Sequence, residues 1–426
     1  MRRSWLAVAA LLAAGSLPAA ASTSSSGIRA AATPSAGATR ILRTQQPVRH
    51  IAADGSRVAV ATTTDKLNTC DRIIVWSPRK RSFVQFNPGT HCDTAPTIDD
   101  IQELALAGKT VYWLDADGGM GISLQVLSHT LGTNKTEPVS PAAMYSLSAY
   151  KSDDYGPFTF LGNLFGAGGL VVFNSWTACM EIPAGELGAT CPKSAPSDGT
   201  VILYSDQKLL EVVNGTGVEI ASAPDTQTSV PDVSYQLSPV ASAVAPAVVA
   251  VDANRIAAQN ADGSVVIYSA SGAALQSIPI PSGKFSGFAL QGSQLVTIRN
   301  GRLELYDVSS GKLVKTTRLP AGALLRGLQK GLAAYVTGPE MKYSNPAFDT
   351  YVYRKVHVLR LSDGKGVTYS APAVNGKNLI HLMPETSSVD AQIEASGLFY
   401  SYTLVRGRSP GRVVFVPFAE VLKKLG

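Results

Sequence analysis

The chain has 426 residues, 45% hydrophobic and only 16% charged, with 38 Gly and 25 Pro. Low charge and short alternating runs of Val, Ile, Tyr, Ser and Thr exclude a disordered chain, a coiled coil and a collagen-like repeat. The net charge of +6 falls to +4 without Arg2 and Arg3, too small and dispersed an excess for nucleic-acid binding, and no apolar run beyond residue 20 is long enough to span a bilayer.

Residues 1–21 read as an export signal: Arg2-Arg3, an apolar stretch from Trp5 to Leu17, then Pro18 and Ala19-Ala20-Ala21 before Ser22. Residues 22–38, rich in Ser, Thr, Ala, Gly and Pro, read as a flexible lead-in with nothing to bury. Residues 39–426 are then one domain. Export makes an oxidising compartment and disulfides the expectation for Cys70, Cys92, Cys179 and Cys191. Four cysteines allow three connectivities. The local one, Cys70 with Cys92 and Cys179 with Cys191, closes two short loops, each bridge adding about 3 kcal/mol in the chain-entropy picture. The spacings do not suit zinc.

Along the chain one strand motif recurs, a short apolar run ending at a Ser-, Asp- or Pro-marked turn. It appears as Ile73–Ser77, Leu124–Ser128, Val201–Ser205, Val265–Ser269, Leu303–Asp307, Val358–Ser362 and Val413–Pro417. Upstream of most copies a second hairpin turns at Gly or Asn, as at Asp54-Gly55, Gly108-Lys109, Gly168-Gly169, Asn254, Gly292-Ser293, Gly331 and Gly397. The hairpin Leu295–Tyr306 carries Asn300-Gly301, the pair that a tight type I′ turn demands. Each unit therefore reads as four antiparallel strands, a to d, and the recurrence predicts an all-β, seven-bladed β-propeller, with a β-sandwich as the rival. The last unit lacks a d strand, because Phe418–Leu425 reads as a short amphipathic helix. The orphan strand Thr39–Thr44 is expected to supply it, joining the termini.

The segment Leu305-Tyr-Asp-Val-Ser-Ser-Gly-Lys-Leu-Val-Lys-Thr-Thr317 resembles the repeat of secreted bacterial β-propellers of the YVTN-like, quinoprotein-like and WD-like kinds. That resemblance implies the propeller architecture over about residues 39–420. Members range from ligand-free scaffolds to lyases and lactonases, so it assigns no function by itself. The chain has no Trp-Asp signature and only four Trp, which argues against quinone binding, and no cofactor is expected.

In such a fold the b–c and d–a connections share one face. The long ones fall near 62–71, 174–199, 339–350 and 405–411, and near 88–98, 136–146, 223–245 and 371–388, and all four cysteines lie in them. Elaborated loops on a rigid scaffold are where binding usually sits. Two of these loops are aromatic. Tyr145, Tyr150 and Tyr155, with Phe158 and Phe160, surround Lys151-Ser-Asp-Asp, and Tyr343, Phe348, Tyr351 and Tyr353 surround Ser344-Asn-Pro346. Amphipathic rings suit a peptide or glycan. Near the starts of the a strands lie His50, Asp99, Asp100, Asp232, Arg326 and Asp390, which would converge at the ring axis.

Gly407-Arg-Ser409-Pro-Gly411 copies a nucleophile-elbow pattern, but a strand follows it where the elbow needs a helix. Ser-x-x-Lys recurs at one turn of several units because the unit repeats. Asp115-Ala-Asp117-Gly-Gly119 reads as a turn rather than a calcium loop. The sequence thus points to a monomeric extracytoplasmic binding or scaffold protein, not an enzyme, recognising a protein, peptide or envelope glycan through the disulfide-stapled face. The alternative is a metal-dependent hydrolase or lyase at the axis.

Overall fold

The computed structural model describes residues 38–63, 71–87, 100–117, 121–146, 158–180, 201–229, 246–338, 340–341, 350–351, 354–371, 389–403 and 410–426. All described regular structure is β except one terminal helix. After β1 (Arg40–Arg43) come antiparallel meanders of four strands. The first is β2 (His50–Asp54), β3 (Arg57–Thr63), β4 (Asp71–Ser77) and β5 (Ser82–Phe86). The second is β6 (Asp100–Ala107), β7 (Thr110–Asp117), β8 (Gly121–Thr130) and β9 (Thr136–Ser146). The third is β10 (Phe158–Ala167), β11 (Leu170–Met180), β12 (Val201–Val213) and β13 (Thr216–Ala223), with β14 (Thr226–Ser229) paired back on β12. Then follow β15 (Ala247–Val251), β16 (Arg255–Gln259), β17 (Val265–Ser269) and β18 (Ala274–Ile278). The next is β19 (Phe285–Gln291), β20 (Gln294–Arg299), β21 (Arg302–Asp307) and β22 (Lys312–Arg318).

The sixth meander is β23 (Leu324–Gln329), β24 (Leu332–Thr337), β27 (Lys355–Arg360) and β28 (Gly366–Ser370). A small ladder of β25 (Glu340–Met341) and β26 (Thr350–Tyr351) extends its middle connection. The last has β29 (Asp390–Glu394), β30 (Gly397–Thr403) and β31 (Gly411–Pro417), and runs into α1 (Phe418–Leu425). Its fourth strand is β1, antiparallel to β31 with Arg40 opposite Phe415 and Leu42 opposite Val413. The second and third meanders join through one parallel bridge between their outer strands, Thr216 opposite Ser140.

The sheets stack face to face, and the sequence explains why. Inner strands are apolar at successive positions because both faces are covered. Along β3, Val58 and Val60 pack with Phe399, Val413 and Phe415 of the last sheet, whereas Ala59 and Ala61 pack with Leu106 and Trp113 of the second. Along β24, Leu332, Ala334 and Val336 face the last sheet, while Ala333 and Tyr335 face the fifth. An apolar cluster of this kind lies between every consecutive pair of meanders and between the last and the first. Trp76 and Trp113, both fully buried, fill two of these interfaces. The first strands also touch in chain order, β2 on β6, then β10, β15, β19, β23 and β29, and β29 on β2 again. Outer strands are half open: Val84, Leu275, Leu313 and Val314 are exposed there.

Helix α1 buries Val421 and Leu425 against the sixth and last sheets. Lys330 lies over the Phe418 ring and Lys424 over the Tyr369 ring, each holding it on the turns beneath.

Four sequence expectations are corrected. Residues 136–146 are not a d–a loop but the strand β9, so Tyr145 stands opposite Ile122 in a ladder. Residues 174–180 belong to β11, so Cys179 is a strand residue opposite Leu203 rather than a loop residue. Asp115 and Asp117 are strand residues of β7, not a turn. Phe160 is buried on β10, stacked on Trp176, and is no surface ring. Long strands that continue past the sheet edge look, in sequence, like polar loops.

Candidate functional site

The two ends of the sheets differ. At one end the first and second strands are joined by tight turns, and these turns bond to one another across sheets. Asp54 accepts the Gly108 N–H at 2.6 Å through Oδ2 and the Gly168 N–H at 3.2 Å through Oδ1. Asp252 accepts the Gly292 N–H at 3.2 Å, and Gln291 Oε1 accepts the Lys330 N–H at 2.7 Å. The basic turn Arg79-Lys80-Arg81 lies at this end too, where Arg79 donates to the Ser396 carbonyl at 3.2 Å. The connections made of residues 64–70, 88–99, 147–157, 181–200, 230–245, 342–349, 372–388 and 404–409 all leave from the other end, outside the described residues.

Toward that second end, where the first strands converge, lies a cavity of about 360 Å³. Each first strand lines it: β2 with His50 and Ile51, β6 with Gln102 to Leu104, β10 with Asn163 to Phe165 and β15 with Val249. Beyond these come β19 with Gly287 and Phe288, β23 with Leu324 to Arg326, and β29 with Asp390 to Gln392. Most of these strands break register where they meet the cavity. The ladder slips between Ile101 and Glu103, between Gly162 and Phe165, and between Val248 and Ala250. It slips again between Phe285 and Phe288 and between Leu325 and Gly327. A bulge leaves a residue unpaired and re-aims its side chain. Here the residues so released include Gln102, Asn163, Val249 and Arg326, all cavity residues. β2 and β29 run without a slip and deliver His50 and Asp390 from their first positions.

The cavity lining has two chemically distinct arcs. On the β10, β15 and β19 arc the lining is mostly apolar, Leu164, Phe165, Val249 and Phe288 beside Asn163. The other arc, though it also carries Ile51, Leu104, Leu324 and Leu325, holds the charged and ionisable groups. They form a polar wall of Arg326, Asp390 and His50, with Gln102, from β23, β29, β2 and β6. Arg326 Nε lies 3.1 Å from Asp390 Oδ1, a pair between neighbouring sheets. Asp390 Oδ1 also accepts the Ala391 N–H at 2.8 Å. Gln392 crosses to the first sheet, where its Oε1 accepts the Ala53 N–H and its Nε2 donates to the Ile51 carbonyl at 3.2 Å.

Glu103 shapes the third wall. Its carboxylate accepts the Asn163 N–H at 3.0 Å and the Leu164 N–H, and so holds the β10 bulge, where Asn163 takes a φ of 53°. Burial pushes its carboxyl above the usual range, against the pull of those two backbone donors. Asn174, fully buried, completes the support. It accepts the Val248 N–H at 2.8 Å and donates to the Pro246 and Lys208 carbonyls at 2.8 and 3.1 Å.

Of the axis residues named from sequence, His50, Arg326 and Asp390 come together around this cavity. Asp100 is the first residue of β6, paired with Ala116, and does not line it. Asp99 and Asp232 lie outside the described residues. Among the described residues no group of three or more His, Cys, Asp or Glu is placed to hold a metal ion. Of the aromatic candidates, Tyr351 lies in β26 opposite Glu340, whereas Tyr150, Tyr155, Tyr343, Phe348 and Tyr353 lie outside the described residues, with Cys70, Cys92 and Cys191. Sequence reasoning missed Gln102, Glu103 and Gln392, because only the bulges and the cross-sheet bonds give them their places.

No family model matches the chain, and no curated protein matches it. Solved structures similar at a distance include these three. The crystal structure of the Saccharomyces cerevisiae Sqt1 is 9% identical, with 88% of this chain and 97% of that chain covered and a TM-score of 0.41. That of a mitotic checkpoint complex is 11% identical, covering 97% and 100%, with a TM-score of 0.44. That of the Kluyvelomyces marxianus Hsv2 is 12% identical, covering 85% and 90%, with a TM-score of 0.39. Likeness at this level carries no argument for function.

Proposed function

We propose that the chain is an exported, seven-bladed β-propeller, closed by β1, that binds a protein, peptide or envelope glycan over its loop-rich end. The blade count and closure are supported by the cyclic contact of the first strands, the apolar cluster between the last and first sheets, and the β1–β31 ladder. Export is supported by the charged, apolar and A-x-A pattern of residues 1–21. Disulfides Cys70–Cys92 and Cys179–Cys191 belong to the same reading and would staple that end.

The observation that carries the binding role is the asymmetry of the two ends. Tight, mutually bonded turns occupy one, while the long connections leave from the end toward which the cavity lies. A rigid frame with its variable segments gathered at one end is the usual arrangement of a recognition surface.

The test is sedimentation of the purified mature protein with envelope fractions of its exporting host. Replacing 342–349 by a Gly-Ser linker should reduce co-sedimentation by about tenfold or more. Arg79→Ala with Arg81→Ala, at the opposite end, should leave it unchanged. Equal retention of the loop variant, or loss only in the turn variant, overturns the reading.

A further inference from the structure

We propose that the cavity at the convergence of the first strands binds one neutral sugar ring in its pyranose form. This goes beyond partner binding by the loops and concerns a small ligand held by the strands themselves.

The first argument is charge. Arg326 and Asp390 cancel one another at 3.1 Å. A charged ligand has to split that pair or bring in a charge with no partner, and both are costly in a partly desolvated site. A neutral ligand leaves the pair intact and uses what it has left over. Asp390 Oδ2 and the Arg326 nitrogens make no hydrogen bond to any described residue, the 3.1 Å contact being an ion pair only. Nor does the exposed Gln102 side chain. The set therefore offers an acceptor, several donors and an amide that is both. A hydroxyl donates and accepts at once, so a run of adjacent hydroxyls matches the set.

The second argument is shape. The arc that carries the charged groups faces a mostly apolar arc that includes Phe165 and Phe288. A pyranose has this same division, with hydroxyls around its edge and C–H bonds on its face, and the face packs on aromatic rings. A volume of about 360 Å³ sits at the low end of small-ligand pockets, enough for one ring rather than a chain.

The third argument is construction. Glu103, Asn174 and Gln392 spend their hydrogen bonds on backbone groups of neighbouring sheets. Glu103, the neighbour of Gln102, and the β10 bulge that it holds are thus fixed before any ligand arrives, which reduces the ordering cost of binding.

The experiment is saturation-transfer NMR and calorimetric titration of the purified mature protein. The probes are D-glucose, D-galactose, D-mannose and N-acetyl-D-glucosamine, with D-glucuronate and D-glucosamine as charged counterparts. At least one neutral sugar is expected to saturate at millimolar concentration or below, with the charged probes weaker by about tenfold or more. Gln102→Trp changes an exposed, unpaired position and fills the cavity. It should keep the wild-type melting profile and abolish the signal, and Arg326→Met should weaken it by about tenfold or more. Maltotriose and chitotriose then distinguish a free sugar from the end of a glycan. Absence of saturation by every neutral sugar overturns the proposal. So does binding that survives Gln102→Trp, or charged probes that bind as tightly as neutral ones. None of these outcomes depends on the loop test, which uses a different variant and a different binding partner.

Discussion

Glu394 Oε2 accepts the Gly55 N–H at 3.2 Å, tying the last sheet to the first turn of the first sheet. The next carboxylate around, Asp54, does the same for the turns at Gly108 and Gly168. Backbone N–H groups at tight turns need acceptors when water is kept away. Side chains from other sheets supply them here, so sheets far apart in sequence are fixed to one another at the end opposite the cavity.

That position sets a pH dependence. Burial holds the Glu394 carboxyl up to about 8; the Gly55 N–H opposes the shift and the nearby Asp54 charge adds to it. An unfolded glutamate titrates near ~4.3. Between the two values the folded chain keeps a proton that the unfolded chain has lost. The contribution to stability is therefore complete below about pH 4.3, falls as pH rises towards 8, and is flat above it. Glu394→Gln keeps an acceptor for Gly55 and removes the titration. Its stability relative to wild type should rise by roughly 3–4 kcal/mol between pH 5 and pH 9, measured by urea unfolding. Glu103 titrates in both proteins and drops out of the difference. Parallel pH profiles for the two proteins would refute the assignment.

How much of this was legible in the sequence depends on burial. The recurring motif strands fall on β4, β8, β12, β17, β21, β27 and β31, because a strand covered on both faces writes an unbroken apolar run. The turn at Asn300-Gly301 is legible for a local reason, since both residues take a positive φ, 49° and 71°. The orphan strand was readable only by bookkeeping, as the partner that β31 lacked. The whole of β9 (136–146) and the end of β11 (174–180) are not readable, since a ladder at or beyond the edge of the core carries polar residues. Three of the four residues of the polar wall, His50, Arg326 and Asp390, are legible because strand starts can be counted. Gln102 is not, because a bulge depends on how the inner strand twists against its neighbours and leaves no residue signature.

The turn at Gly168 gives a steric prediction. Gly168 has a φ of +66°, and a Cβ added there would sit 2.8 Å from the Ala253 Cβ in the next sheet. Gly55 has nearly the same φ, +62°, with open space around it. Gly55→Ala should cost only the backbone strain, about 1 kcal/mol. Gly168→Ala should cost that plus the collision, about 2–4 kcal/mol in total. Chemical denaturation of the pair checks this, and equal losses would mean that the two turns are not in close contact.

The β1–β31 ladder gives a second. Leu42 is fully buried among Phe399, Val413 and Phe415, between the last and first sheets. Leu42→Ala should lower unfolding stability by about 2–5 kcal/mol. Removing residues 38–45 should do more than that, because it also bares the hydrogen-bonding edge of β31. Such an edge recruits other chains. Size-exclusion chromatography should show the truncated protein as soluble aggregate, while Leu42→Ala elutes with the wild type. A truncated protein that elutes like the wild type, with the same stability, would mean that the β1–β31 pairing contributes nothing.

Within the fifth sheet, Arg299 holds Glu304 by two bonds, Nε to Oε2 at 3.0 Å and Nη2 to Oε1 at 2.6 Å, and the Tyr306 hydroxyl donates to Oε2 at 2.8 Å. Glu304 is buried, at 3% exposure, so its charge depends on these partners. Burial and the Glu304 carboxylate both drive the Tyr306 hydroxyl well above its ordinary range, so it remains a donor at any working pH. Removing Glu304 strands a guanidinium and a buried hydroxyl. Removing Arg299 strands a buried carboxylate, which is worse. Arg299→Ala should therefore cost more than Glu304→Ala, about 3–4 against about 2–3 kcal/mol, because the guanidinium reaches solvent and the carboxylate does not. The double variant should cost less than the sum of the two, by at least about 1 kcal/mol. Strict additivity in the unfolding free energies would show that the three groups do not act as one network.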